Sequence, residues 1–158
     1  FSAAGPLFFE SVSNVTATPS IQLGTQRIDG GEEYVYLYNA GNSQISTGRG
    51  CIFSAVSGYS VTVSSLTQFG AFVAVCKHAT VATGSYFWGM TRGFVTVFNN
   101  NPSTAMASGV PVIVGLDGGF ALTTGAMTAA VMGFVTSAAA SGGTGASQAV
   151  IYFTGFGS

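Results

Sequence analysis

Residues 29–41 read Asp-Gly-Gly-Glu-Glu-Tyr-Val-Tyr-Leu-Tyr-Asn-Ala-Gly, and this stretch indicates the fold class. In a strand across Glu33–Tyr38, the three tyrosines would point to one face while Val35 and Leu37 point to the other. Because both faces are apolar or aromatic, we expect the strand to be covered on both sides. Glycine and asparagine tolerate the positive φ angles of tight turns, so the sequence predicts turns at 29–31 and 39–42.

Short segments of the same kind recur on both sides of this stretch. Tyr59–Ser65 alternates most regularly, with Tyr59, Val61 and Val63 on one face. Further strands are predicted at Phe69–Lys77, Ser85–Met90, Phe94–Asn99, Val110–Val114, Gly119–Thr123 and Gln148–Phe153. Residues 126–138 combine helical spacing of apolar residues with interleaved Gly and Thr, so a strand is favoured there and a helix stays open.

The pattern as a whole predicts an all-β fold. About ten short strands at close spacing are typical of a compact β-barrel or β-sandwich. Residues 1–25, with Pro6, Pro19 and many Ser and Thr, are predicted to form an extended N-terminal arm ahead of one all-β domain at 26–158. Phe1–Phe9 has neither the basic nor the full apolar segment of a secretion signal, and whether the N-terminus is trimmed stays open.

Charge is scarce. Asp, Glu, Lys and Arg make up 6% of the 158 residues, whereas soluble domains average about 25%. We therefore expect much of the surface to be covered by neighbouring subunits, the alternative being an extracellular or viral domain kept soluble by neutral polar groups. Nucleic acid is not an expected partner, because four scattered Lys and Arg residues cannot neutralise a phosphate backbone. No membrane partner is expected either, since no apolar run approaches the roughly 20 residues of a spanning helix.

Groups that could perform catalysis or bind metal are few. His78 is the single histidine, which excludes two-histidine metal motifs. Cys76 lies two residues away on a predicted strand, but two ligands do not make a structural zinc site. Glu32 and Glu33 would face opposite ways in a strand, which is unsuited to paired-carboxylate chemistry. We expect no catalytic site, no cofactor and no metal; whether Cys51 and Cys76 form a disulfide stays open.

Aromatic residues make up 13% of the chain and Trp88 is the single tryptophan. Tyrosine and tryptophan are enriched at protein interfaces. Tyr34, Tyr36, Tyr38 and Trp88 are therefore candidate subunit-interface residues. The alternative is that such residues simply belong to the core.

The segment around Trp88 resembles a known family. Ser85-Tyr86-Phe87-Trp88-Gly89-Met90-Thr91-Arg92-Gly93 is similar to the Tyr/Phe-Trp-x-x-x-x-Gly strand of tailed-bacteriophage capsid decoration (cement) proteins, especially those on HK97-type heads of marine phages. The family's later elements are matched in order by Phe94–Phe98, Gly109–Val112 and Gly133–Val135, and its opening strand by residues 24–25 and 29–41. The resemblance covers roughly residues 24–135; the Ala- and Gly-rich residues 138–146 have no match in it.

This resemblance implies a non-enzymatic virion protein on the exterior of the capsid. It would bind the assembled shell, bridge major capsid protein subunits and stabilise them, and it would self-associate, commonly as a trimer. The alternative function is a carbohydrate-binding or adhesive β-module of a phage head fibre, tail or cell surface, with exposed Tyr and Trp88 as stacking platforms. A small hydrolase that depends on His78 is the third hypothesis.

Overall fold

The computed structural model describes residues 10–54, 58–63, 72–99, 108–109, 111–114, 119–122, 133–137 and 148–153. These residues contain eleven strands and no helix. The strands are β1 Val15–Thr16, β2 Gln26–Asp29, β3 Glu32–Asn39, β4 Gly50–Phe53, β5 Ser60–Val63, β6 Phe72–Val75, β7 Tyr86–Phe98, β8 Pro111–Val114, β9 Phe120–Leu122, β10 Gly133–Ser137 and β11 Gln148–Phe153. The predicted all-β class is confirmed, while the total of about ten strands, which refers to the whole chain, stays a prediction.

Five strands close into a barrel. Their order is β3-β5-β4-β6-β7, and β7 pairs back onto β3 along Glu33–Tyr38. The β3–β5 pair is parallel, with Tyr38 opposite Ser60, and the other barrel pairs are antiparallel. Two outer strands extend the barrel, because β2 pairs with β3 and β1 pairs with β7. Of the two predicted architectures, the described residues form a barrel.

Strand β7 connects the barrel to a second sheet. The sequence predicts two strands, Ser85–Met90 and Phe94–Asn99, but the structure has one strand of 13 residues from Tyr86 to Phe98. Gly93 has a φ of +136°, and an added Cβ there would lie 2.8 Å from Glu32 Cγ. Glycine suits this close, positive-φ position where β7 leaves β3, and the strand continues through it. Beyond Gly93, β7 pairs with β11, and the sheet continues through β10 and β8 to β9.

The barrel interior is apolar and close-packed. Its buried cluster includes Val35, Leu37 and Phe87 from the β3–β7 pair. Gly89 lies in the same layer, where an added Cβ would be 2.6 Å from Leu37 Cδ1 and 2.7 Å from Ala74 Cβ. The interior has no room for a side chain at that position.

The outer face of β3 is also covered, as predicted from the alternation of Tyr with Val and Leu. Tyr36 is fully buried beneath residues of the N-terminal segment, where its hydroxyl lies 3.0 Å from Ser20 Oγ and 3.4 Å from Thr16 Oγ1. Residues 10–25 thus contact the barrel where they are described. The division of the chain into an arm at 1–25 and a domain at 26–158 stays a prediction, and residues 1–9 lie outside the described residues.

Other local predictions have mixed outcomes. Gly30 and Gly31 have φ angles of +59° and +86°, which fits a two-residue type I′ hairpin turn between β2 and β3. Residues 133–137 form strand β10, as favoured over a helix, while 126–132 lie outside the described residues. The Tyr59–Ser65 strand begins one residue late, at Ser60, because Tyr59 has a left-handed φ of +60°.

Candidate functional site

Most of the described charged side chains lie at one end of the barrel. We call this the charged end and define it as Arg27, Asp29, Glu32, Glu33, Lys77, His78 and Arg92. It surrounds the β2–β3 turn, where β3 begins and where β7 passes at Arg92.

The ions of the charged end are paired within the chain. Arg27 Nη2 lies 2.5 Å from Asp29 Oδ2, Arg92 Nη1 lies 3.5 Å from Glu33 Oε1, and Lys77 Nζ contacts both carboxylate oxygens of Glu32. Glu32 and Glu33 therefore face different partners, as the strand alternation predicts. The paired ions leave little net charge for long-range attraction of an ionic ligand.

Glu32 is the centre of a hydrogen-bonded chain. Tyr34 Oη donates to Glu32 Oε2 at 2.5 Å and lies 2.9 Å from His78 Nε2. Because the single hydroxyl proton of Tyr34 is directed to Glu32, His78 Nε2 carries a proton and donates to the tyrosine oxygen. These hydrogen bonds link His78, in the segment after β6, to the start of β3.

The pKa values of these groups follow from partial burial and from their neighbours. Burial raises the pKa of the Glu32 carboxyl, but hydrogen bonds from Lys77 and Tyr34 and the charges of Lys77 and His78 outweigh it, so the net pKa lies below its ordinary value. Burial, together with the Glu32 carboxylate, raises the pKa of the Tyr34 hydroxyl. Burial and the Lys77 charge lower the pKa of His78 against the opposing effect of Glu32 and Asp29. At neutral pH this arrangement therefore holds a neutral histidine and an ionised Glu32 carboxylate.

The hydrogen bonds and ion pairs of the charged end connect neighbouring strands. The cavity beside Cys76 and His78 has a volume of about 10 Å³, which is room for about one water molecule. Cys76 and His78 do not converge: β6 ends at Val75, the Cys76 thiol is buried against the Ala79 carbonyl, and the His78 ring bonds to Tyr34. Among the described residues, no three His, Cys, Asp or Glu side chains come together as a metal site would need.

Both cysteines are buried thiols and no disulfide joins them. Burial raises the pKa of Cys76 to about 12 and raises that of Cys51 well above its ordinary value. Both are therefore protonated and poorly reactive in the folded chain.

The opposite end of the barrel, where β3 ends, carries no charged residue within the described residues. We call it the neutral end. Phe53 and Tyr59 are 41% and 40% exposed there and contact each other edge to face, with ring centroids 6.3 Å apart. Tyr59 lies so close to Gly24 that an added Cβ on the glycine would be 2.3 Å from the tyrosine ring. A bulky residue in the left-handed region is uncommon, so the surrounding packing holds this exposed ring in place.

The four candidate interface residues differ in their exposure to solvent. Tyr34, Tyr36 and Trp88 are 2%, 0% and 2% exposed and belong to the chain's own packing. Tyr36 lies 5.1 Å from Trp88 between ring centroids, and the Arg27 guanidinium lies 5.1 Å from the Trp88 ring. Tyr38 is partly exposed and packs against Tyr86 in a tilted arrangement, with ring centroids 4.8 Å apart, so it is the member of the set with surface to offer another subunit.

The large exposed apolar side chains are different residues from the four interface candidates, whose role at an interface stays a prediction. Large ones on the described surface are Ile28, Phe53, Tyr59 and Phe94. Ile28 could have been identified from sequence, since it stands one residue before the Asp29-Gly30-Gly31 turn on a strand of otherwise polar residues. Phe53 and Phe94 carry no such signal, because the chain has 13 phenylalanines and exposure depends on the barrel closure.

No protein-family model matches the chain, and no curated protein sequence matches it. Among solved structures, the chain is similar to the N base of the head fibre gp8.5 in bacteriophage phi29, with 16% identity over 79% of this chain and 98% of that one and a TM-score of 0.49. In the described part of the chain, no helix is long and apolar enough to cross a bilayer.

Proposed function

We propose that this chain is a non-enzymatic structural protein of a phage virion, located on the exterior of the capsid as a decoration (cement) protein. Its partners would be major capsid protein subunits, which it bridges and stabilises, and further copies of itself in a trimer. The residues that carry the resemblance are those of β7 around Trp88, which lie in the barrel wall beside β3.

The observation that carries the proposal is a surface with few charged residues and several exposed apolar side chains. The chain exposes 8014 Å² with nine charged residues in the whole sequence. The ions of the charged end are paired with each other, and four large apolar side chains in the described residues are 40% exposed or more. A free monomer with such a surface is poorly protected against association. A protein repeated over a shell can cover that surface by contacts with its neighbours.

The absence of catalysis is part of the proposal. It is supported by the geometry of His78, whose ring is hydrogen-bonded to Tyr34 beside a cavity too small for a substrate. If an activity were detected in the purified chain, His78→Ala with the activity unchanged would exclude the hydrolase hypothesis.

The test of the proposed function is the thermal stability of virions with and without the chain. Particles that lack the protein are expected to release their DNA at a lower temperature than complete particles, and adding the purified chain back is expected to restore the difference. Equal release temperatures would contradict the proposal.

A glycan array would test the adhesive alternative, for which stacking on exposed rings is required. Trp88 is buried, so among the described residues such a function would depend on the exposed rings of Phe53, Tyr59 and Phe94. Binding to glycans that Tyr59→Ser abolishes would favour the adhesive module over a cement protein.

A further inference from the structure

Residues 10–20 lie against the outer face of the barrel, and we call them the latch. Strand β1, within the latch, pairs with the edge of β7 that faces away from β3, whereas β2 pairs with the edge of β3 that faces away from β7. The strand order is therefore β1-β7-β3-β2, and the chain crosses β7 and β3 between Thr16 and Gln26. Tyr36 and Trp88, which are opposite each other on these two strands, lie buried beneath the crossing.

A chain of hydrogen bonds holds the latch closed. Ser20 Oγ donates its proton to Glu10 Oε2 at 2.5 Å, so it accepts from the Tyr36 hydroxyl, which is 3.0 Å away. The Tyr36 oxygen in turn accepts from Ser20 N at 3.3 Å. Arg27 Nη1 donates to the Glu10 carbonyl at 2.7 Å, and its guanidinium lies over the Trp88 ring. Because these bonds share their partners, the loss of one weakens the others.

The barrel closes without the latch. Its five strands pair with one another in the order β3-β5-β4-β6-β7, and β7 pairs back onto β3. Residues 17–20 are exposed, and among the described residues the strand pairing of the latch with the barrel is that of the two-residue β1. Val15 of the latch packs, partly buried, against the core cluster. A segment with so few buried apolar contacts opens at a lower free energy than the core does.

The residues beneath the latch are of the types that bind proteins. Tryptophan, tyrosine and arginine contribute most of the binding energy at protein interfaces. The latch covers Trp88 and Tyr36, together with Arg27, whose side chain is 9% exposed. The sequence marks Tyr36 and Trp88 as interface candidates, whereas the closed latch keeps both from solvent. Opening of the latch would make these residues available to another protein.

The geometry points to a closed and an open form of this chain: the latch opens as a unit while the barrel stays folded, and the open form presents Tyr36, Trp88 and Arg27 to a major capsid protein subunit. The latch itself shows the chemistry that this face binds, a chain segment with a backbone carbonyl for Arg27 and a hydroxyl or N–H group for Tyr36. The role of the face rests on the proposed function, whereas the opening is a property of the free chain.

The two native thiols report the opening. Cys76 borders the same cavity of about 10 Å³ as Val12 and Val15 of the latch, whereas Cys51 is buried on β4 in the barrel interior. In native buffer a thiol reagent is therefore expected to modify Cys76 well before Cys51, which mass spectrometry of the peptides measures. Equal rates for the two thiols would mean that both wait for unfolding of the whole barrel, and they would overturn the opening of the latch.

Two serine variants provide a matched pair for this measurement. Ser20→Ala removes the hydroxyl at the centre of the hydrogen-bonded chain, whereas Ser13→Ala removes a hydroxyl that bonds Ser11 within the latch. Ser20→Ala is expected to speed modification of Cys76 about three- to tenfold, the effect of one lost hydrogen bond, and to leave Cys51 unchanged. Ser13→Ala should match the wild type. A folded Ser20→Ala variant with the wild-type rate at Cys76 would contradict the latch.

Association with particles that lack the protein tests the role of the uncovered face. Binding through the open form makes the association rate follow the population of that form. Ser20→Ala leaves the face itself intact, so it should associate about three- to tenfold faster than the wild type, and Ser13→Ala should not. Equal association rates despite faster modification of Cys76 would overturn the role of the face. A wild-type chain that does not bind these particles would contradict the proposed function instead, while Cys76 would still report the opening.

Discussion

At the scale of single residues, Gly89 shows how completely the barrel interior is filled. Its Cβ position lies within 2.7 Å of both Leu37 Cδ1 and Ala74 Cβ. We expect Gly89→Ala to lower the free energy of unfolding by about 1–3 kcal/mol, because an overpacked core must shift side chains and backbone. Urea unfolding measures this, with Gly58→Ala as the control, since a Cβ at Gly58 meets nothing within 4 Å. Equal stabilities of the two variants would show that the interior is looser than described.

His78 and Glu32 should make the fold sensitive to acid. The folded-state pKa of each lies below its ordinary value, 6.5 for histidine and 4.5 for glutamate. The unfolded chain therefore binds more protons over these ranges, and stability falls as pH is lowered, first below 6.5 through His78 and then below 4.5 through Glu32. His78→Gln keeps a side-chain donor without the titration, so its melting temperature is expected to change less between pH 6.5 and 4.5 than that of the wild type. Parallel profiles would show that His78 makes no such contribution.

At the scale of elements, predictions succeeded where neighbouring residues determine the outcome. The alternation of Tyr34–Tyr38 with two apolar faces predicted a strand covered on both sides, and Asp29-Gly30-Gly31 predicted its turn. The predictions failed where contacts with residues distant in sequence determine the local structure. Two strands were predicted at Ser85–Met90 and Phe94–Asn99, but pairing with β3 before Gly93 and with β11 after it keeps β7 continuous. Tyr59 fitted the alternation of β5, yet packing on Gly24 accompanies its left-handed φ.

Asn39 joins the end of β3 to two loops. Its buried Nδ2 donates to the carbonyls of Ser43, Val81 and Ala82, and its Oδ1 accepts from Gly41 N at 3.1 Å. Removing a donor that satisfies buried carbonyls costs about 1–3 kcal/mol, so Asn39→Ala should lower the free energy of unfolding by that amount. Asn39→Asp should lower it further at neutral pH, because a carboxylate would face the same carbonyls. Chemical denaturation tests both variants, and an aspartate variant as stable as the wild type would refute the assignment.

At the scale of the whole molecule, the sequence alone could not predict that the strands close into a barrel. Closure depends on the parallel β3–β5 pair and on β7 meeting β3, and these contacts join residues far apart in the chain. The sequence did indicate a surface poor in charge. It left open whether Tyr34, Tyr36 and Trp88, which are buried within the chain, would be core or interface residues, because an aromatic strand face can be covered by the chain itself or by a partner.

The grouping of the charged residues at one end of the barrel was likewise not predictable from the sequence. Arg27, Lys77 and Arg92 are far apart in sequence, but the strand register brings them to the same end of the barrel. The neutral end, with Phe53 and Tyr59, is left with surface suited to another uncharged protein surface. This distribution underlies the proposal that the chain functions among other subunits.

Electron cryomicroscopy of the virion tests that proposal most directly. The account predicts density for this barrel at regular positions on the outer surface of the shell, with each copy contacting neighbouring subunits through its uncharged and apolar surface. A barrel absent from the shell, or a chain that stays monomeric and soluble at high concentration and does not bind capsids, would contradict it.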